Sequence, residues 1–168
     1  SSSKLSKSYN YDEFQLQALN TAWCSEIKEV GGQLVFPERC LIEPSDSKTN
    51  ILFFHHPLSW LEPNNQKVIR NYSRDNFDII ITGHEHIADS FKVTSENNTS
   101  LMIESISFDD PEVPDNGFIS FIIEDDEVLI QRHLWECDNF VPKDTITKSQ
   151  VISPSTKSLN GANLNVEF

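Results

Sequence analysis

The sequence predicts an α/β protein with mixed sheets, a βαβ unit followed by antiparallel strands. Three observations carry this. Ile51 to Phe54 and Ile79 to Ile81 are apolar at successive positions, the pattern of central strands covered on both faces. Between them lies a stretch with apolar residues at helical spacing, long enough for the right-handed crossover that joins parallel neighbours. After His86 the chain changes to short alternating runs separated by turn residues, as in antiparallel sheets.

Taken in order, residues 1 to 13 are rich in Ser, Lys and Asn and are expected to form a surface loop or frayed end. Phe14, Leu16 and Ala18 alternate with Gln15 and Gln17, which predicts a strand ending in a loop at Asn20 to Trp23. Gly31-Gly32 marks a turn, and Pro37 and Pro44 bracket one or two helical turns around Arg39 to Ile42. The strand Asn50 to His56 is stopped by Pro57. Pro63-Asn64-Asn65 starts a helix, and Val68, Ile69 and Tyr72 give it an apolar face. A second strand spans Phe77 to Thr82. Phe91 to Thr94, Leu101 to Phe108, Phe118 to Glu124 and Glu127 to Trp135 are the alternating runs, the last two joined by the acidic turn Asp125-Asp126. This half is expected to be antiparallel. From Glu136 the sequence turns polar and loses periodicity, so residues 1–135 are assigned to the domain and 136–168 to a polar arm or linker.

A length of 168 residues suits one domain with a real core. With 13 Lys plus Arg against 26 Asp plus Glu, the formal charge is −13, which repels a phosphate backbone and argues against passive nucleic-acid binding. Cys24, Cys40 and Cys137 form no CxxC pair, which favours free buried thiols in a reducing, cytoplasmic setting over a disulfide framework. No apolar run approaches the roughly 20 residues that span a bilayer, so no membrane partner is expected.

Four of the five histidines are concentrated in His55-His56-Pro57 and Gly83-His84-Glu85-His86. Each cluster directly follows a predicted parallel strand. In a βαβ unit the carboxyl ends of parallel strands share one rim, where ligands bind. Topology therefore brings His55 and His84 together. Imidazole suits Zn, Mn, Fe, Co and Ni, and a His-x-His pair can serve one ion or two neighbours. Gly83 is expected to let the backbone turn tightly. His133, beside Trp135 in an alternating run, reads as structural. Trp23 and Trp60 fall beside site loops but read as packing residues, and Glu85 is expected to point away from the metal.

A strand ending in His-His-Pro, paired with a later Gly-His-Glu-His, resembles the last two signature blocks of the calcineurin-like metallophosphoesterases, the binuclear metal phosphatase superfamily. Leu19-Asn20-Thr21-Ala22-Trp23 resembles the strand preceding those blocks. The likeness covers roughly residues 15 to 95 and implies an αββα sandwich. It implies that His55 and His84 bind one ion, that His86 binds its neighbour, and that His56 sits behind the ligands or near substrate. Two divalent ions would lower the pKa of a bridging water that hydrolyses a phosphomonoester or phosphodiester.

The family's three earlier blocks, Asp-x-His, Gly-Asp and Gly-Asn-His, do not occur in this sequence. Without a bridging carboxylate, two dications held by neutral imidazoles repel each other. The only methionine is Met102 and the first residues are Ser1-Ser2-Ser3-Lys4. The expectation is the C-terminal portion of such a domain, completed by its missing N-terminal part or a companion chain. Its parent would be a metal-dependent phosphoesterase. The alternative is a non-catalytic remnant used for docking, and a third reading is a single-ion hydrolase built on His55, His84 and His86.

Overall fold

The computed structural model describes residues 5–149, apart from residues 13, 46–48, 87–88, 97, 113–114 and 125–126. Its elements are β1 (Ser6–Asn10), β2 (Phe14–Leu19), β3 (Thr49–Phe54), α1 (Pro63–Asn76), β4 (Ile79–Thr82), β5 (Asp89–Thr94), β6 (Thr99–Glu104), β7 (Gly117–Glu124), β8 (Glu127–Glu136) and β9 (Asn139–Ser149). Short 3-10 turns occupy Thr21–Cys24, Glu38–Cys40 and Leu58–Trp60.

The unbroken apolar runs explain the layering. Along β3, Ile51 is buried toward one side of its sheet and Leu52 and Phe54 toward the other; β4 repeats this with Ile79 and Ile80, and β6 with Leu101 and Met102. Successive side chains of a strand point to opposite faces, so both faces must be covered. On one side Leu52, Phe54, Ile80 and Met102 pack with Ile69 of α1, Phe36 and Phe77. On the other, Ile51, Ile79, Leu101 and Ile103 meet Ile130 of β8 and the half-buried Ile119 and Phe121 of β7. The layers are thus helix, sheet and sheet.

The first sheet runs β1-β2-β3-β4-β6-β5 and the second β7-β8-β9. Strands β2, β3, β4 and β6 are mutually parallel, with antiparallel β1 and β5 at the edges. The mixed α/β class and the βαβ unit are as the sequence predicts.

Helix α1 begins with Pro63, whose missing N–H costs nothing in the first turn. The Glu62 side chain accepts from the amides of Asn64 at 3.0 Å and Asn65 at 3.1 Å, satisfying two of the free donors that open a helix. Asn65, Ile69 and Ser73 then fall on the buried face.

Four expectations need correction. The N-terminal stretch assigned to a loop contains β1, an edge strand that pairs through its backbone and needs no apolar alternation; Ser6 Oγ also donates to the Cys40 carbonyl. The helix that starts at Pro63, expected to run about ten residues, has 14 and ends at Asn76. The run from Leu101 is not part of an antiparallel half, because β6 lies parallel to β4. Residues 139–149, placed in the polar arm, form β9 against β8. The Asp125-Asp126 turn lies outside the described residues, yet the pairing of Glu124 with Glu127 makes β7 and β8 a hairpin. Residues 150–168 also lie outside them.

Cys24, Cys40 and Cys137 are free, but only Cys40 is buried. Among the described residues no helix is long and apolar enough to cross a membrane.

Candidate metal centre

The site grows from the register of β3 and β4. Ile51 pairs with Ile79 and Phe53 with Ile81, so the two strands end level and release their histidines on one rim. The Gly83 amide donates to the His55 carbonyl at 3.0 Å and extends the ladder one step past the strands. Gly83 is not the residue with unusual backbone geometry. The positive φ values belong to His84, at 76°, and His86, at 58°, a region that costs a side chain some free energy and clusters at functional sites.

The rings of His55, His56 and His84 form a triangle with centroids 4.7, 4.7 and 5.0 Å apart. One nitrogen from each ring lies within 4.8 Å of the other two. His84 Nδ1 faces His55 Nε2 at 3.2 Å. Two imidazoles bound to one tetrahedral ion at ~2.0–2.1 Å place their nitrogens about 3.3 Å apart. The His55 and His84 nitrogens therefore already stand near ligand spacing. His55 is exposed and His56 is 1% exposed, so the triangle has one open side and one sealed side.

Burial, and then the neighbouring imidazoles, holds the His55 and His84 rings below the ordinary histidine value. This favours the neutral form, which binds metal.

His56 is anchored by residues far away in sequence. Its amide donates to Thr21 Oγ1 at 3.2 Å, its Nδ1 meets the same hydroxyl at 3.1 Å, and its Nε2 meets Glu29 Oε2 at 3.1 Å. A carboxylate only accepts, so in the neutral ring Nε2 carries the proton and Nδ1 accepts from Thr21. Trp60 closes the triangle, its ring 4.1 Å from that of His84 and steeply inclined to it. Its Nε1 donates to Glu85 Oε1 at 2.5 Å.

His86, which the resemblance makes a ligand, stands apart from this group. Its Nδ1 donates to Asp110 Oδ2 at 2.5 Å. Asp110 also accepts from the Glu112 amide at 2.9 Å; that bond first, then His86, holds its carboxyl below the usual range. His133 lies flat on Phe118, 4.5 Å between centroids, and meets Ser120 Oγ at 2.8 Å, away from the rim.

Three neutral nitrogens on one rim fit one divalent ion. They do not fit two, because among the described residues no acidic group is part of the triangle that would have to supply a bridge. Thr21, Glu29, Trp60 and Asp110 carried no site signal in the sequence beyond Thr21 and Trp60 lying near predicted loops.

No protein-family model matches the chain, and no curated protein matches it by sequence. Solved structures do. A double mutant of Vps29 from Entamoeba histolytica matches at 16% identity and TM-score 0.44, over 86% of this chain and 61% of that one. Wild-type Vps29 of the same organism, complexed with zinc, matches at 15% identity and TM-score 0.42, over 84% and 59%. Vps29 from Chaetomium thermophilum matches at 9% identity and TM-score 0.42, over 87% and 61%. This chain spans about three fifths of the length of those chains.

Proposed function

We propose that this chain is a metallophosphoesterase-type domain that holds one divalent ion at His55, His56 and His84 and serves as a docking module for a protein partner, without phosphoesterase activity of its own. The observation that carries this reading is that one nitrogen from each of three imidazoles lies within 4.8 Å of the other two, while His86 is held by Asp110. Two-ion hydrolysis needs a second ion, a bridging carboxylate and a water held between them. With one ion fixed, the His55 and His84 loops are tied to each other across the rim.

A docking role is further supported by the outer side of the second sheet. Phe140 lies 5.2 Å from Phe108, 5.0 Å from Phe118 and 4.8 Å from Trp135, ring to ring. Phe108 is 63% exposed and Trp135 50%. Contiguous apolar surface of this kind marks interaction sites more often than chance placement.

Hydrolysis remains the second reading, because exposed His55 leaves coordination positions open to water. Elemental analysis of the purified chain, with hydrolysis of an aryl phosphodiester in added Mn2+, separates the two. One equivalent of metal, lost in His84→Ala, without turnover is the expected outcome. Two equivalents, with turnover abolished by the same substitution, would establish the phosphoesterase instead.

A further inference from the structure

We propose that the outer edge of β1 is a docking groove for an acidic, extended segment of a partner protein, which joins the first sheet as a further strand. In the sheet β2 separates β1 from β3, and the groove uses neither the ion nor its ligands.

The backbone supplies the pairing groups. The Asn20 amide donates to the Leu5 carbonyl at 2.7 Å, and the Tyr11 amide to the Phe14 carbonyl at 3.0 Å. Both bonds are in step with the register of β1 on β2, and hydrogen-bonded positions alternate along an antiparallel pair. Lys7 and Tyr9 therefore turn their amides and carbonyls toward β2, while Ser6, Ser8 and Asn10 turn theirs outward. Among the described residues no backbone group pairs with those outward amides and carbonyls. Such a row of open donors and acceptors is a template for another strand.

Side chains decide what fits. A groove of about 480 Å³ opens between Ser6, Lys7 and Ser8 on one side and residues 39–42 on the other. The Ser6 hydroxyl donates to the Cys40 carbonyl, so residues 39–42 cross the face of the sheet that Ser6 and Ser8 share, with Leu41 and Ile42 half-buried there. Lys7 and Tyr9 belong to the opposite face, the ammonium 4.7 Å from the ring centroid, and both are exposed. Arg39 is exposed as well and forms no ion pair among the described residues. An added strand presents alternate side chains to the two faces, acidic ones toward Lys7 and apolar ones toward Leu41 and Ile42.

Charge selects the occupant. The chain as a whole carries −13, yet two cations and no acid line this groove. Screening limits the reach of exposed charges to about 8 Å at physiological salt, so the nearby cations govern what docks. Pairing β1 with β1 of a second copy would crowd two Lys7 and two Arg39 side chains together, the means by which edge lysines discourage self-association. An acidic strand meets the opposite condition.

Anisotropy titrations of a labelled peptide alternating Glu and Val, and of its counterpart alternating Lys and Val, against the full chain test this in the wild type, Lys7→Glu and Ser8→Pro. Proline at Ser8 removes an outward N–H and leaves the bonds to β2 in place. Urea midpoints show whether that variant folds; if it does not, Lys7→Glu, a change at an exposed side chain, decides alone. The acidic peptide is expected to bind the wild type equally with and without chelator, and at least about fivefold more weakly to either variant, while the basic peptide does not bind. No binding of the acidic peptide to the wild type, equal binding of the basic one, or unchanged affinity in Lys7→Glu overturns the proposal. Binding lost in chelator would move the peptide to the metal centre and overturn it too. A dimer in sedimentation that Ser8→Pro abolishes would assign the edge to a second copy, and the acidic partner would fall.

Discussion

Asn65→Leu tests how the loop that carries Glu29 is held. Asn65 is 7% exposed, and its side chain clasps one peptide unit on each side: its Oδ1 accepts from the Phe36 amide at 2.7 Å and its Nδ2 donates to the Phe36 carbonyl at 2.8 Å. Phe36 is fully buried, so water cannot take over either bond. Leucine has similar volume and leaves both backbone groups unpaired, each at a cost of about 1–3 kcal/mol. Its greater apolarity offsets about 1–2 kcal/mol, so the central values leave a net loss of about 2–3 kcal/mol. That is a large share of a typical ~5–15 kcal/mol stability. Urea unfolding followed by tryptophan fluorescence is expected to show a lower midpoint at unchanged slope. A loss under about 1 kcal/mol would refute the reasoning, since it would mean that the Phe36 peptide finds other partners.

Three further perturbations follow from the geometry. Because the folded-state values of His55 and His84 lie below the unfolded value of about 6.5, the unfolded chain takes up protons first as pH falls. Metal-free stability is then full above pH ~6.5 and declines as pH drops through the lowered folded values. Urea midpoints in chelator must fall, not rise, over that window, and zinc binding must persist somewhat below pH ~6.5. His86→Ala is expected to leave zinc stoichiometry at one and affinity within about twofold by titration, whereas loss of the ion would return His86 to the ligand set. Gly117→Ala places a Cβ 1.9 Å from the His133 carbonyl oxygen; a backbone clash between β7 and β8 is expected to cost about 3 kcal/mol or more, seen as a lower midpoint or insoluble protein. Unchanged stability there would contradict the pairing of these strands.

What the sequence determined by itself is the frame of the site. Runs such as Ile51 to Phe54 bury both faces, which makes β3 and β4 central; the helical crossover between them makes them parallel, and parallel neighbours must deliver His55 and His84 to the same rim. Periodicity speaks plainly there because it records which faces are removed from water. It is silent where pairing runs through the backbone alone. Strand β1, with Ser6 to Asn10, and β9, with its mixed polar residues, are held by amide and carbonyl groups common to every sequence. The orientation of β6 was equally hidden, since a buried strand has the same side-chain pattern whether its neighbour is parallel or antiparallel.

Only the tertiary structure decided which histidines meet. The sequence places His55 and His84 together and, by the resemblance, offers His86 to a neighbouring ion, yet left-handed turns at His84 and His86 send His86 to Asp110 and leave His84 against His55 and Trp60. His56 joins the group through Thr21 and Glu29, which reach it from 35 and 27 positions away. Ligand geometry depends on backbone torsions at single residues and on partners supplied by distant loops, and neither leaves a periodic trace in the chain.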